Sequence, residues 1–125
     1  MSRYQVLIED GFSSAHALRH YHGQTEPLHG HNYRVQVVVE GKRLQKKVKY
    51  VTDFVALQKA LRAVVGPLDY TNLNDTPFFK KENPSAENLA WYIGREVRKR
   101  WREPGVRLVS VTVWEKPETA ARYFP

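Results

Sequence analysis

Residues 12–33 read FSSAHALRHYHGQTEPLHGHNY, and this stretch contains all five histidines of the chain. His29 and His31 flank Gly30 immediately before a run of alternating apolar residues. Successive side chains of a strand point to opposite faces, so both imidazoles are expected on the same face of a sheet. His16 ends an earlier strand-like segment whose small neighbours leave room for close packing. The three imidazoles are therefore predicted to form a metal site with a fourth position open, as in catalytic zinc sites.

A simpler interpretation remains open at this point, because a His-x-His sequence also occurs as a pair of surface side chains. His20 and His22 lie in a polar loop, and we expect them to be exposed or close to a substrate. The chain has no cysteine, which excludes disulfides, zinc–thiolate sites and a thiol nucleophile. Any metal or acid–base chemistry must therefore use imidazole and carboxylate groups.

The composition is that of one globular domain, with 125 residues, 42% hydrophobic and 26% charged. We therefore expect a single domain over residues 1–125. No apolar run approaches the roughly 20 residues that a membrane span needs, and the N-terminal sequence has no hydrophobic leader. We expect a cytoplasmic protein without a membrane partner.

The formal net charge of +7 suits nucleic acid, an acidic membrane surface or a phosphorylated small substrate. The densest basic run, REVRKRWR at residues 95–102, lies in a helical pattern and is expected to be a solvated helix face. No base-stacking motif accompanies it, so we expect no nucleic-acid partner. Nucleic-acid binding is kept only as an alternative.

Hydrophobic periodicity predicts a mixed α+β domain. Alternating apolar residues predict strands at residues 4–9, 33–40, 46–52 and 108–115. Apolar spacings of three and four predict two amphipathic helices, one from Thr52 or Asp53 to about residue 66 and one from Pro84 to about residue 103. The long connection at residues 68–83 is expected to be functional or mobile.

Two carboxylates are candidates for a functional role. Val109, Val111 and Val113 are expected on one strand face, and Glu115 is next on that face. A buried carboxylate is unfavourable without a partner, so Glu115 faces either a ligand or, if the strand ends there, water. Asp69 is equally ambiguous, because Leu-Asp before a polar loop is a common turn signal.

Six sequence blocks, in this order, resemble the family of 6-pyruvoyltetrahydropterin synthase and 6-carboxytetrahydropterin synthase (QueD). They are FSSAH, LHGHNY, VTDF, LDYTNLND, NPSAEN and VWE, beginning at residues 12, 28, 51, 68, 83 and 113. The resemblance implies the tunnelling fold (T-fold), a four-stranded antiparallel sheet with two helices on one face. It also implies a homo-hexamer, a dimer of trimers, with active sites at subunit interfaces.

The same resemblance implies roles for individual residues. The zinc ligands fall on the three histidines proposed above, and the glutamate that anchors the pterin falls on Glu115. Its carboxylate can accept two parallel hydrogen bonds from a pterin. Ser85 and Glu87 match positions that line the same pocket, and Asp69 matches the catalytic aspartate of the family's Leu-Asp-His sequence.

The chain departs from the usual family pattern at two positions. Thr25 stands where the family has its catalytic cysteine, and Tyr70 stands where it has the relay histidine. The thiol mechanism is therefore lost. Glu26, in Glu-Pro-Leu-His-Gly-His, resembles the branch in which glutamate replaces cysteine and dihydroneopterin triphosphate is cleaved to 6-hydroxymethyl-dihydropterin for folate synthesis.

We therefore predict a zinc-dependent lyase in which Glu26 is the general base and the metal acts as Lewis acid and template. Arg19, His20, His22 and Lys80 are candidates for contact with the substrate's triphosphate. The alternatives are a 6-carboxytetrahydropterin synthase of the queuosine pathway, a 6-pyruvoyltetrahydropterin synthase, or a zinc- and pterin-binding protein with altered catalysis.

Overall fold

A long antiparallel hairpin forms the centre of the sheet in the computed structural model, which describes residues 2–125. Strand β1 (Tyr4–His16) and strand β2 (His29–Gly41) pair over their full 13-residue length. The register places Tyr4 opposite Gly41 at one end of the hairpin and His16 opposite His29 at the other. Two histidines that are distant in sequence are therefore adjacent where the hairpin ends.

Three further strands complete a five-stranded sheet in the order β3-β1-β2-β4-β5. Strand β4 (Val106–Lys116) pairs antiparallel with β2, and β5 (Thr119–Tyr123) pairs antiparallel with β4. Strand β3 (Thr71–Asn72) has only two residues and is parallel to β1. The predicted antiparallel sheet with two helices on one face is confirmed, although the sheet has five strands instead of four.

The two helices cover one face of the sheet. Helix α1 (Phe54–Val65) is capped by Asp53, whose side chain accepts a hydrogen bond from the Val55 amide. Helix α2 (Ala86–Arg100) is capped by Ser85, whose side chain accepts a hydrogen bond from the Asn88 amide. The helix therefore begins two residues after Pro84, where its start was predicted. The core between helices and sheet is formed by fully buried side chains that include Val35, Val37, Val39, Leu57, Leu61, Leu89, Ile93, Val97, Val111 and Val113.

One glycine brings α2 close to the strands that follow it. A Cβ atom at Gly94 would lie 3.1 Å from Cε2 of Tyr123 on β5 and 3.3 Å from Cγ2 of Val111 on β4. These distances are below ordinary van der Waals contact, so no larger residue fits without movement. Gly94 thus allows α2 to pack against β4 and β5.

The strand predicted at residues 46–52 is wrong, because this segment is a compact loop. The Gln45 side chain accepts hydrogen bonds from the amides of Lys47 and Val48, and the Lys49 amide donates to the Gln45 carbonyl. Lys49 is in the left-handed region with φ 69°. These local bonds replace the pairing that a strand would need.

The prediction that Val109 shares a face with Val111 and Val113 is also wrong. The pairing of β2 with β4 shifts register between Val38 and Val39, so that these residues oppose Ser110 and Leu108 and leave Val109 unopposed. This β-bulge places Leu108, instead of Val109, in the core. Beyond the bulge, Val111 and Val113 alternate as expected.

The described part of the chain, residues 2–125, has no helix that is both long and apolar enough to span a bilayer.

Candidate metal centre and active site

The three predicted metal ligands come together at the end of the central hairpin. The side chains of His16, His29 and His31 each place a ring nitrogen within 4.8 Å of the other two. The Nε2 atoms of His16 and His29 are 3.1 Å apart. His16 is almost fully buried, whereas the His29 side chain is 40% exposed. One side of the triad is therefore embedded in the protein and the other faces solvent.

Hydrogen bonds to backbone carbonyls fix the protonation of two of these rings. His16 Nδ1 lies 2.7 Å from the Pro84 carbonyl oxygen, and His29 Nδ1 lies 2.9 Å from the Pro27 carbonyl oxygen. A carbonyl can only accept, so both Nδ1 atoms carry a proton and donate it. In the neutral rings the two Nε2 lone pairs then face each other at 3.1 Å, which is unfavourable unless a cation or proton lies between them.

His31 supplies the third free nitrogen. Its Nε2 atom is buried and has no hydrogen-bond partner among the described residues. Burial lowers the pKa of His31, an effect that the Glu115 carboxylate opposes and the other two histidines reinforce. A buried imidazole nitrogen without a partner could coordinate a metal ion. The donor set fits zinc, whose three-histidine sites have Zn–N distances of about 2.0–2.1 Å.

Two carboxylates flank the triad from different elements. Glu26 Oε1 lies 3.8 Å from His29 Nε2, and its side chain is 19% exposed. Glu115 places its two oxygens 3.9 Å from His16 Nε2 and 3.8 Å from His31 Nε2, with 25% of its side chain exposed. Glu115 therefore faces the triad and not open water, which resolves the ambiguity that the strand pattern left.

The backbone of Leu18 holds Glu26 in place. The Leu18 amide donates to Glu26 Oε1 at 3.0 Å, and the Glu26 amide donates to the Leu18 carbonyl at 3.0 Å. This pair of bonds closes the loop between them, which contains a two-residue hairpin at His22 and Gly23, both with positive φ. The other oxygen of Glu26, Oε2, makes no hydrogen bond within residues 2–125 and is free for a ligand.

The remaining loop residues lie outside the triad. His20 and His22 are exposed, which is one of the two expectations for them. Thr25, at the position of the family's cysteine, is also exposed. Its hydroxyl makes no hydrogen bond within residues 2–125, so nothing there activates it.

A cleft of about 190 Å³ opens beside Glu115. Glu87 and Ala86 at the start of α2 form one wall, and residues 119–121 of β5 form the other. Ser85 does not line this cleft. Its hydroxyl instead caps α2 by accepting a hydrogen bond from the Asn88 amide at 3.1 Å. The contribution of β5 was missed in the sequence, since the segment is short and follows a proline.

Asp69 is not brought to the triad within one chain. Its Oδ1 accepts from the Ser13 amide at 2.8 Å, and its Oδ2 lies 3.8 Å from an Nη atom of Arg62. Tyr70 is 88% exposed and in the left-handed region with φ 55°. Within residues 2–125, neither residue forms a hydrogen bond or ion pair with the three histidines, Glu26 or Glu115, although Tyr70 and His31 line a common cleft.

Arg19 has a structural role in this part of the chain. Its guanidinium donates to the carbonyls of Asn74, Phe79 and Glu82 at 2.7–3.3 Å. Its own backbone exchanges two hydrogen bonds with the Asn83 side-chain amide. Asn74 does the same with the backbone of Ala17. The connection at residues 68–83, which was expected to be functional or mobile, is thus bonded to the chain just after His16. Lys80, in contrast, is exposed.

Tyr33 belongs to the site although it was not singled out from the sequence. It is 2% exposed, and its ring makes T-shaped contacts with the rings of His31 and His16 at centroid distances of 5.4 and 5.9 Å. Its hydroxyl has no hydrogen-bond partner among the described residues. Burial first, and then the carboxylates of Glu115 and Glu26, raise the pKa of Tyr33, so the hydroxyl stays protonated. Its position two residues after His31 was the available signal.

A larger cleft, of about 740 Å³, lies at the opposite end of β2, between residues 40–45 and 103–107. None of the histidines lines it. The half-buried acid that lines it, Glu40, is already paired with Arg3 and Arg107 at 3.1 and 3.0 Å. Volume alone therefore does not select the candidate site, and we favour the triad because unpartnered polar atoms converge there.

The chain is similar to known proteins in both sequence and structure. Residues 5–125 match the family model described as 6-pyruvoyl tetrahydropterin synthase. The chain is 37% identical over 115 residues to the dihydroneopterin monophosphate aldolase of Pyrococcus furiosus, with 91% of each chain covered. It is 33% identical to the putative 6-carboxy-5,6,7,8-tetrahydropterin synthase of Archaeoglobus fulgidus, with 90% and 89% covered. The structure of Caenorhabditis elegans 6-pyruvoyl tetrahydropterin synthase superposes with a TM-score of 0.88 at 28% identity, covering 100% of this chain and 97% of that one.

Proposed function

The chain belongs to the 6-pyruvoyl tetrahydropterin synthase family, and we propose that it is a zinc-dependent lyase that cleaves the side chain of a 7,8-dihydroneopterin phosphate. The product would be 6-hydroxymethyl-7,8-dihydropterin. The observation that carries this proposal is the Glu26 carboxylate, which lies 3.8 Å from His29 Nε2. It is adjacent in sequence to Thr25, which stands at the position of the family's cysteine.

His16, His29 and His31 would hold the zinc ion through their Nε2 atoms. Bound there, zinc would supply Lewis-acid chemistry that lowers the pKa of a side-chain hydroxyl of the substrate. The carbonyls of Pro84 and Pro27 keep the rings of His16 and His29 in the tautomer that this requires.

Glu26 would move the proton. Its free Oε2 atom would take the proton from the hydroxyl on the second side-chain carbon, and that carbon would become an aldehyde as its bond to the first carbon breaks. The electron pair of the broken bond would pass into the ring C=N group of the dihydropterin. Return of the proton from Glu26 to the first carbon would then give the hydroxymethyl group, so no other acid is needed.

Glu115 would orient the pterin. Its two oxygens can accept parallel hydrogen bonds from the amino group and a ring nitrogen of the pterin, in the cleft it shares with Glu87. We propose Glu87 as a wall of this pocket and Ser85 as the residue that positions that wall by capping α2.

We further propose that the chain forms a homo-hexamer and that Asp69 acts in the site of a neighbouring subunit. Strands β3 and β5 are the edges of the sheet, and edges of this kind are commonly closed by pairing with another copy. Light scattering of the purified protein should give a mass near six times the 14.6 kDa of one chain. A monomer at micromolar concentration would contradict this assembly.

The number of phosphates on the substrate is a separate question. The family resemblance suggests the triphosphate, whereas the relative from Pyrococcus furiosus is named for the monophosphate. Three of the five guanidinium N–H groups of Arg19 donate to backbone carbonyls, which leaves fewer of them for a long phosphate tail. We therefore propose the monophosphate as the preferred substrate.

Product identification tests the proposal directly. Zinc-loaded protein would be incubated with 7,8-dihydroneopterin monophosphate or triphosphate, and the products identified by mass spectrometry. We expect 6-hydroxymethyl-7,8-dihydropterin and the phosphate ester of glycolaldehyde, formed faster from the monophosphate. Formation of 6-carboxytetrahydropterin from the triphosphate would instead support the second candidate function, which the relative from Archaeoglobus fulgidus favours.

A further inference from the structure

Among residues 2–125, two buried side-chain polar atoms lack a hydrogen-bond partner, the Nε2 of His31 and the hydroxyl of Tyr33. The two residues are separated by one position on β2, so their side chains lie on the same face of the sheet. Buried polar atoms in folded proteins nearly always have partners. Two neighbouring exceptions therefore point to one region that receives a ligand.

The metal explains only the first of these atoms. A cation accepts the lone pair of His31 Nε2, but a neutral tyrosine hydroxyl is useful as a hydrogen-bond donor and needs an acceptor. The protein does not provide one, because neither Glu26 nor Glu115 lies within hydrogen-bonding distance of this hydroxyl. The acceptor must come with whatever is bound beside the triad.

The Tyr33 ring has little freedom to turn toward another partner. It stacks on Phe12 with the ring centroids 4.7 Å apart and the planes at 12°. Its other neighbours are the rings of His31 and His16, which meet it nearly edge-on. Packing on these sides fixes the hydroxyl as a preoriented donor.

We propose that the Tyr33 hydroxyl donates a hydrogen bond to an oxygen atom on the side chain of the bound pterin. Tyr33 packs against the histidines and not in the cleft beside Glu115, so it is placed for the reacting side chain and not for the ring that Glu115 orients. Tyr33 is thus a specificity residue for pterins with an oxygen-bearing side chain. The identity of the ligand rests on the proposed function, whereas the need for an acceptor rests on the unpartnered hydroxyl.

Two stable, fluorescent pterins separate these contributions. Neopterin carries a trihydroxypropyl side chain, and 6-methylpterin has no side-chain oxygen. Binding of each would be measured by fluorescence titration of zinc-loaded wild-type protein, the Tyr33→Phe variant and a Tyr92→Phe control. Tyr92 is a half-buried tyrosine on α2 that packs against Phe78 and Phe79, so its variant removes a hydroxyl outside the site.

We expect Tyr33→Phe to weaken neopterin binding about five- to twentyfold, to change 6-methylpterin binding less than twofold, and to leave the zinc content unchanged. Tyr92→Phe should alter neither affinity. Equal weakening of both pterins, or of neither, would overturn the inference while leaving the proposed function in place. A wild-type protein that binds neither pterin would overturn both.

Thermal unfolding without a pterin gives an independent readout. Phenylalanine keeps the shape of the ring and removes an unpartnered hydroxyl, so Tyr33→Phe should unfold at the same temperature as wild type or higher. A drop in unfolding temperature larger than that of Tyr92→Phe would show that the hydroxyl bonds to the protein itself. That result would also overturn the inference.

Discussion

Replacement of Glu26 by glutamine isolates the proposed proton transfer from the structural role of the same residue. Glu26 Oε1 accepts the Leu18 amide at 3.0 Å, and this bond helps to close the loop at residues 19–25. A glutamine oxygen can keep that bond, while its NH₂ group takes the place of Oε2 and cannot accept a proton. Glu26→Ala would remove both functions, so glutamine is the more informative change.

The size of the effect follows from the role. General base catalysis contributes typically 10²- to 10⁴-fold, which corresponds to about 2.7–5.4 kcal/mol of activation free energy. Because the Leu18 bond is retained, the free energy of unfolding should change by less than about 1 kcal/mol. We therefore expect kcat to fall at least about 100-fold in Glu26→Gln, with near wild-type stability.

The assay is the rate of 6-hydroxymethyl-7,8-dihydropterin formation at saturating 7,8-dihydroneopterin monophosphate, followed by chromatography with fluorescence detection. Zinc content and unfolding temperature would be measured on the same samples. Thr25→Ala is the matched control, because it changes the adjacent exposed side chain and should leave kcat within about twofold. If Glu26→Gln kept more than about a tenth of the wild-type kcat with normal zinc content, Glu26 would not be the base.

Three further perturbations test separate parts of the structure. His29→Ala should reduce the zinc content, measured by atomic emission, from about one ion per chain to a small fraction, because the two remaining imidazoles bind zinc weakly. The control His22→Ala should retain its zinc, and full retention in His29→Ala would refute the triad. Glu115→Gln should weaken neopterin binding about 10- to 150-fold, because it loses a charge-assisted hydrogen bond of about 1.5–3 kcal/mol, and it should leave the zinc content unchanged. An unaltered affinity in the fluorescence titration would place Glu115 outside the pterin site. Hydrogen bonding from Gln5, together with Arg107 and Arg3, lowers the pKa of Glu40 below its usual 4.5. A carboxyl with a lowered folded-state pKa stabilises the protein above its unfolded pKa, and this stabilisation is lost as the pH falls further. Urea unfolding should therefore show wild type more stable than Glu40→Gln at neutral pH, with the gap closing below about pH 4.5; a gap independent of pH would contradict the assignment.

Sequence patterns predicted the fold best where the apolar face was continuous. Val35, Val37 and Val39 are all fully buried, and α1 begins after its predicted cap, Asp53. The strand expected at residues 46–52 failed because alternation is not sufficient for strand formation. Val48 is 63% exposed there, and the Gln45 side chain satisfies the local backbone instead of a neighbouring strand.

Without the family resemblance, residue patterns indicated candidate site residues mainly where the side chain projects directly from a strand. The spacing of His29 and His31 is a local property, and the hairpin register then brought His16 opposite His29. The bulge at Val109 and the role of Arg19 depend on how distant segments meet, which a pattern of apolar residues does not encode. Tyr33 was missed because a tyrosine in a strand usually indicates core packing, and its distinguishing feature is the absence of a partner for its hydroxyl.

The two asparagines that bond to the chain after His16 limit which sequences this family member tolerates. The Asn74 side chain accepts a hydrogen bond from the Ala17 amide and donates one to the Ala17 carbonyl, and Asn83 does the same at Arg19. Each asparagine thus bonds to the backbone as a residue of a neighbouring strand would. Aspartate has nearly the same shape but would place a carboxylate oxygen against each carbonyl, replacing attraction by repulsion. Spontaneous deamidation of Asn74 would therefore release the backbone that follows the proposed metal ligand His16. Asn83 is protected from this reaction, because it requires the backbone N–H of the next residue and Pro84 has none. The working lifetime of the protein would then depend on one amide group outside its hydrophobic core.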